Sequence, residues 1–579
     1  MAERIAPVSG LRSSRWLDAP DEVGIQNRAA LRAVGLAVES GRPVVGISNT
    51  ISDLNPCNSS MREQIEEARQ GVIDAGGVPV VFPTISLGED LMKPSAMLYR
   101  NLLAIEVEEM VRAYPIDALV LTANCDKTIP GAIMGATSSD VPTVLMLGGA
   151  RPAPLYRGER LASGTDLWRA LDDRRTGRMT DEQWESFERC YSCGLGACNV
   201  MGTATTMAIV AETLGFTLAG ASTIPAGEPL GLRAANAAGR LAVERARNPI
   251  RPRELVTEAS LQNALKVVAA CGGSTNAVVH IAAIAGRAGI RLSQATIAGA
   301  LSGVPVVADV QPIGRGLAQD FHAAGGVPAL VHALGDTLDR STRTVQGGTL
   351  GEAAKDAAPA GAAIRPIADV AGSPDGLAVV RGSLAPDGAV IKVAAASERL
   401  LVHRGPAVVF DGYEDMRARV DDPDLEVTPD SVLVIRGAGP VGGPGMPEWG
   451  MVPIPKKLAE AGITDMVRVS DARMSGTSFG TVFLHVAPEA AVGGPLALVR
   501  TGDVIAVDVP RGRLDLEVED DELERRRAAW RPAPTPHVRG WVALYQRHVT
   551  QAPEGCDLDF LQAFAPGTET FVEPVVGRS

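Results

Sequence analysis

Short apolar runs alternate with longer stretches that are polar on one face through the first part of the chain. Pro43 to Ser48 (PVVGIS), Val78 to Phe82 (VPVVF), Asp117 to Thr122 (DALVLT) and Val141 to Leu147 are brief, rich in β-branched residues and bounded by loops. That pattern predicts four strands. Met61 to Asp74 is polar on one face and closed by Gly76-Gly77, the signature of a helix and its C-cap. A second helix is predicted from about Ser95 to Ala113. Strand, helix, strand in this rhythm means right-handed crossovers and a parallel sheet. Gly202 to Leu214 and most of 254–290 also read as helical, the latter interrupted at Gly272-Gly273-Ser274-Thr275-Asn276.

From Arg340 to about Ser373 the chain turns to Ala, Gly, Pro and Thr with little periodicity, which predicts a linker. Short β-like pieces follow: Leu377 to Val380, Ala389 to Val393, Ala407 to Phe410, Ser431 to Ile435, Ala497 to Leu498, Val504 to Val509 and Arg513 to Val518. Many short strands with turn signals suggest a small β-barrel. The expected organisation is an α/β domain with a helix-covered parallel sheet over 1–373, its linker at about 340–373, and a smaller β-barrel-like domain over 374–579.

Three cysteines sit in polar, Gly- or Pro-flanked loops far apart in sequence: Cys57 in Asn55-Pro56-Cys57-Asn58, Cys125 in Asn124-Cys125-Asp126-Lys127, and Cys198 in Gly196-Ala197-Cys198-Asn199. The spacing is too wide for a zinc ribbon or a ferredoxin-type run. In open parallel sheets, ligands bind beyond the carboxyl ends of the strands. Cys57, Glu89 and Cys125 all fall just after predicted strands, so one sheet edge gathers two thiols and a carboxylate. Cys198 lies just ahead of a helix, whose N-terminus favours a thiolate. Three thiolates on an iron–sulfur cluster leave one iron position open, which suits a Lewis-acid catalyst, whereas a carrier is served by a fully ligated cluster.

The plain alternatives stand beside these readings. Asp126-Lys127 also reads as an exposed ion pair, Glu89-Asp90 as a solvated helix start, and Ser475 in Arg473-Met474-Ser475-Gly476-Thr477 as a turn residue. Cys190-x-x-Cys193 with Cys198 is compact, but none of the 7 histidines lies near to complete a zinc knuckle. Cys190 and Cys193 therefore read as spare thiols, and Cys271 and Cys556 as buried small hydrophobes. Arg436-Gly437-Ala438-Gly439-Pro440-Val441-Gly442 has three glycines after a strand, like a dinucleotide loop. Pro440, Pro444 and Pro447 forbid the helix that such a loop must open, so it reads as the carrier of Glu448.

Bulk composition narrows the classes. The 579 residues exceed one ordinary core, and aromatics are only 4%, which fits Ala- and Val-rich sheets under helices. The net charge of −13 and the absence of a basic stripe exclude nucleic acid as a partner. Met1 to Gly10 has no apolar segment of a secretion signal, and no apolar run reaches the ~18 residues of a membrane span. Seven cysteines in so long a chain argue against a disulfide framework. A cytoplasmic protein with reduced thiols and no membrane partner is expected.

Six stretches carry a family resemblance: NPCN (55–58), NCDKTIPG (124–131), GACNVMGTATTM (196–207), GGSTN (272–276), GGPGMPEWG (442–450) and DARMSGT (471–477). In order, and across nearly the whole chain, they resemble the dihydroxy-acid and sugar-acid dehydratase family. The resemblance implies a 2Fe–2S cluster on Cys57, Cys125 and Cys198. It also implies Mg²⁺ on Glu89, Asp126, Glu448 and a carboxylated Lys127, with Ser475 as the base and Thr477 beside it. An unmodified Lys127 paired with Asp126 or the substrate is the alternative. The implied assembly is a homodimer or homotetramer. Branched-chain biosynthetic members usually have an arginine before the glutamate of the GGPGM motif. Here Pro447-Glu448-Trp449 resembles the sugar-acid branch instead, and the phosphogluconate branch has a different motif. The resemblance thus implies dehydration of non-phosphorylated sugar acids such as L-arabinonate or D-gluconate. The branched-chain dihydroxy-acid reaction is the alternative within the class, and a non-catalytic iron–sulfur protein the alternative outside it.

Overall fold

The structure is a computed structural model that describes residues 10–191 and 194–562. Four parallel strands, β1 (Val44–Asn49), β2 (Val78–Pro83), β3 (Ala118–Ala123) and β4 (Thr143–Leu147), form a sheet in the order β2-β1-β3-β4. Val45 lies opposite Ala118 in the central pair β1–β3, and Leu119 lies opposite Thr143 in the pair β3–β4. The crossovers are the helices Arg62–Asp74, Arg100–Ala113 and Thr128–Ser139. Every residue of β3 is buried, as expected for a central strand covered on both faces. The helices Thr203–Thr213, Glu258–Ala270 and Asn276–Arg287 complete this domain. All eleven residues of the first are buried, so it is an interior helix without a polar face. Within 340–373 a short helix forms at Leu350–Ala354, and Val345, Leu350, Ala354, Ile364 and Val370 belong to the core of the first domain.

The second domain is an eight-stranded mixed sheet. Its strand order is Arg513–Glu517, Val504–Asp508, Val402–Asp411, Val432–Arg436, Arg468–Ser470, Val482–Ala487, Gly388–Ile391 and Ala378–Val380. The middle four strands are parallel and the flanking pairs antiparallel. Arg381 N donates to Gly512 O at 2.8 Å and Leu514 N to Arg381 O at 3.0 Å. These bonds join the two edge strands and bring the sheet close to a closed barrel, which removes exposed edges. Two expectations change in detail. Ala497-Leu498 belongs to the 3-10 turn Pro495–Leu498, because Pro495 presets helical φ at its start. Arg468–Ser470 and Val482–Ala487 are strands that the sequence pattern left unmarked.

The last described segment returns to the first domain. Arg287 Nε donates to Asp557 Oδ2 at 2.6 Å, and Arg100 donates to the carbonyls of Gly555 and Cys556 at 2.8 and 2.9 Å. Both arginines are fully buried. These bonds tie the last described segment to the helices Arg100–Ala113 and Asn276–Arg287 of the first domain. Among the described residues no helix is long and apolar enough to cross a membrane.

Candidate active site between the two domains

The asparagines flanking each cysteine explain why three distant loops converge. Asn55 caps the short helix Pro56–Ser59 that carries Cys57. The side-chain oxygen of Asn58 accepts from the amides of Asn124 and Cys125 at 3.0 and 3.1 Å. In return Asn124 Nδ2 donates to Cys57 O at 2.9 Å and to Gly149 O at 2.8 Å. The third loop is stitched on by backbone: Gly196 N donates to Pro56 O at 3.2 Å, and Ala197 N to Gly149 O at 3.0 Å. Cys57 and Cys125 are buried, and Cys198 is half-buried. Donation of its own S–H to the Cys57 sulfur, then burial, pushes the Cys125 thiol above its usual range. Burial pushes Cys198 up to about 12 against the pull of Arg151, whose Nη2 stands 3.8 Å from its sulfur. Cys125 and Cys198 are therefore held neutral until a cation joins them, and thiolate ligands suit soft metals and iron–sulfur groups.

The carboxylates gather one step further along the same edge. Cys125 Sγ lies 3.3 Å from Asp126 Oδ1, so the two sets touch. Lys127 is fully buried, and its Nζ pairs closely with Asp126 and stands 3.7 Å from Glu89 and 3.8 Å from Glu448. Glu89 Oε2 also accepts from Ala96 N at 3.1 Å. Burial raises the Glu89 carboxyl above its ordinary range, Lys127 opposes this, and the nearby Glu448 and Asp126 charges add to it. Burial works against ionised Asp126 as well, but Lys127 and Arg473 hold its carboxyl below the usual value. Among the described residues no three His, Cys, Asp or Glu side chains close on one point tightly enough to ligate an ion as they stand. Instead the lysine ammonium is the cation that three carboxylates enclose, so oxygen donors fit for a hard divalent ion surround one centre.

Glu448 arrives from the barrel. Its Oε1 accepts from Asn276 Nδ2 at 2.8 Å and from Arg473 Nη1 at 2.9 Å. Its loop follows the strand Val432–Arg436, and no helix opens after Gly437. The amides of Gly437 and Ala438 donate to Asp471 at 3.1 and 3.0 Å, and those of Val441 and Gly442 to Glu489, both at 2.9 Å. Two buried carboxylates thus satisfy the amides that a dinucleotide loop would offer to phosphate. Burial, reinforced by Asp471, pushes Glu489 up to about 7.

Ser475 follows Asp471 on the next loop. Its Oγ lies 2.8 Å from Thr477 Oγ1 and receives Thr477 N at 3.3 Å. A Cβ on Gly476 would come within 2.7 Å of Thr203 N, so only glycine lets the loop reach the N-terminus of the helix Thr203–Thr213. That terminus favours negative charge nearby. Lys392, buried, stands 3.3 Å from Gly476 O, and burial lowers its amine to about 7.

Cys57 stands on the short helix Pro56–Ser59, and Glu89, Cys125, Asp126, Lys127, Cys198, Glu448, Ser475 and Thr477 stand on loops. Cys271 and Cys556 are buried, as expected. Cys193 lies outside the described residues. Sequence reasoning gave no role to Arg473, Asn276, Arg151, Lys392 or Trp168. Arg473 and Asn276 lie inside quoted motifs, a signal in principle; Lys392 lies in the predicted strand Ala389 to Val393, which marks its fold but not a role, and Arg151 and Trp168 lie in stretches with no pattern to mark them.

Comparison with known proteins agrees with this architecture. Residues 42–353 match the dihydroxy-acid/6-phosphogluconate dehydratase N-terminal region, and residues 362–556 match the C-terminal region of the same family. The chain is 46% identical over 571 residues to a 6-deoxy-6-sulfo-D-gluconate dehydratase of Pseudomonas putida, covering 97% of this chain and 98% of the relative. It is 43% identical over 557 residues to an L-arabinonate dehydratase of Rhizobium leguminosarum bv. trifolii, covering 95% and 96%. Identity to a dihydroxy-acid dehydratase of Moorella thermoacetica is 37% over 543 residues, covering 92% and 98%. With both regions matched in order and relatives aligned along nearly their whole length, the chain belongs to the dihydroxy-acid/6-phosphogluconate dehydratase family.

Proposed function

We propose that this protein is an iron–sulfur- and Mg²⁺-dependent hydro-lyase that converts non-phosphorylated sugar acids into 2-keto-3-deoxy acids. The observation that carries the reading is the set of three carboxylates around Lys127, with Cys125 Sγ 3.3 Å from Asp126 and Asn276 bonding both Glu448 and the carbonyl of Met474 beside Ser475. The family membership supports the reaction class. The relatives named for sugar acids, at 43–46% identity, support the substrate class over the dihydroxy-acid relative at 37%.

Cys57, Cys125 and Cys198 would hold a 2Fe–2S cluster and Glu89, Asp126, Glu448 and Lys127 the Mg²⁺, supplying Lewis acidity toward the leaving 3-hydroxyl and the substrate carboxylate. Ser475 takes the C2 proton, a task for which its hydroxyl must be made more acidic than in water. The Thr477 amide and hydroxyl, with the nearby helix N-terminus, supply donors and positive potential at that oxygen. Asn276 and Arg473 fix Glu448. As an ammonium, Lys127 balances the carboxylates around it. Carboxylation would replace that charge with an anionic oxygen donor, so it goes together with cation loading.

The test is formation of 2-keto acid from L-arabinonate, D-gluconate and 2,3-dihydroxyisovalerate by anaerobically prepared protein. Turnover of an aldonate with a higher specificity constant than that for 2,3-dihydroxyisovalerate is expected. The reverse order would assign the chain to branched-chain biosynthesis, and no turnover of any of them would leave a non-catalytic iron–sulfur role. A cytoplasmic homodimer or homotetramer is part of this reading, and light scattering measures the assembly.

A further inference from the structure

We infer that Trp168 is a positioning residue for the proton-abstracting serine, acting through Thr477; this rests on the assignment of Ser475 as the base. Trp168 belongs to the helix Thr165–Arg175 of the first domain, whereas Ser475 and Thr477 lie on a loop of the second. The indole Nε1 donates to Thr477 Oγ1 at 2.8 Å. An indole N–H has no acceptor capacity, so the direction of this bond is fixed. Thr477 Oγ1 stands 2.8 Å from Ser475 Oγ. When Ser475 loses its proton it can only accept, and the Thr477 hydroxyl, already accepting from the indole, must donate to it. The chain Trp168 to Thr477 to Ser475 then runs in one direction, and each bond polarises the next. The Thr477 amide adds a second donor at 3.3 Å. A neutral serine gains less from this arrangement than an alkoxide does, so the relay favours the deprotonated base.

The contact is built rather than incidental. Gly164, with φ +76°, precedes the helix, and a Cβ there would overlap the Thr477 side chain. Thr165 Oγ1 donates to Thr477 O at 2.9 Å, and the Arg169 guanidinium lies 5.4 Å from the Phe479 ring centre. One helical turn therefore grips Thr477 and Phe479. Lys392 Nζ donates to the intervening Gly476 carbonyl at 3.3 Å.

The test is Trp168→Phe in the full-length, iron- and Mg²⁺-loaded enzyme, with iron content and thermal midpoint measured. Phenylalanine keeps an aromatic ring at a position that is 38% exposed while it removes the donor and the second ring. Loss of a direct oxyanion donor costs ~10²–10³ in kcat, and a donor one bond removed is expected to cost about tenfold. KM should change little, and exchange of the substrate C2 hydrogen with deuterated solvent should fall in the same ratio as kcat. In a Thr477→Val background, where the relay is already cut, Trp168→Phe should add nothing. Equal losses in both backgrounds would make Trp168 a packing residue, and parental kcat in Trp168→Phe would remove the relay; either overturns the inference. Ser475→Ala separates the two levels. If it is inactive while Trp168→Phe is normal, only the relay falls; if it still turns over, the base assignment falls and the relay with it.

Discussion

Arg473 is the residue on which the barrel's contribution to the site turns, and Arg473→Met tests that. The side chain is fully buried, with Nη1 on Glu448 at 2.9 Å, Nη2 on Ser95 Oγ at 2.8 Å and Nε on Met446 O at 2.7 Å. It thus bonds the Glu448 loop at two points and the first domain at a third. The charged guanidinium is the donor in all three, and a hydrogen bond that involves a charged group is worth ~1.5–3 kcal/mol net. Three such bonds sum to an upper figure of about 4.5–9 kcal/mol. Breaking a buried pair by removing one partner typically costs ~3–5 kcal/mol, because the other charge is left uncompensated. We expect a loss of about 3–5 kcal/mol, concentrated in the Glu448 loop. A two-domain chain of this size calls for a kinetic measure of stability. The assay is therefore the half-life of activity at fixed temperature, with and without added Mg²⁺, together with kcat. A half-life shortened by more than an order of magnitude and a strongly reduced kcat are expected. Arg473→Lys should recover only part of this, since an ammonium cannot reproduce the planar fork. A half-life and kcat of Arg473→Met within twofold of the parent would refute the reasoning.

Ser475→Ala should abolish turnover and C2 hydrogen exchange while iron and Mg²⁺ stay bound, since general-base contributions run to ~10²–10⁴-fold; turnover within a few-fold of the parent would send the search for the base elsewhere. Cys57→Ser, Cys125→Ser and Cys198→Ser should each lose iron measured by elemental analysis, whereas Cys190→Ser retains it; full iron in one of the three would remove that residue from the ligand set. Exhaustive chelation with the cluster intact should stop turnover, and Mg²⁺ should restore it, because hard oxygen donors suit that ion; undiminished activity after chelation contradicts the reading. Lys392 gives a pH test: its folded value is lowered to about 7 from 10.5, so the unfolded chain binds the extra proton between those values. Stability from this group therefore rises with pH from about 7 to about 10.5, and the full penalty is present below 7. Lys392→Met should gain thermal midpoint relative to the parent more at pH 6 than at pH 9, and an equal difference at both pH values would contradict a buried, depressed amine.

The sequence by itself determined which residues lie on the working edge. In a parallel sheet every strand points the same way, so a loop after a strand end is at the carboxyl edge whatever the packing. That placed Cys57, Glu89 and Cys125 together, and periodicity located β1 to β4 within one or two residues of their observed limits. Proline positions likewise excluded a nucleotide helix after Gly437, and the structure shows none there. Tertiary structure alone decided what each loop bonds to. Asn58 meets Asn124, Arg473 meets Ser95 and Trp168 meets Thr477 across long stretches of chain. The amides of the glycine-rich loop find Asp471 and Glu489. Nothing periodic marks such partners, because a side-chain bond between distant segments depends on the packing of whole domains. The same holds for the burial of Lys127, which reads as an exposed ion pair from its neighbours in sequence. It becomes the enclosed cation of three carboxylates only when the barrel brings Glu448 over the sheet edge.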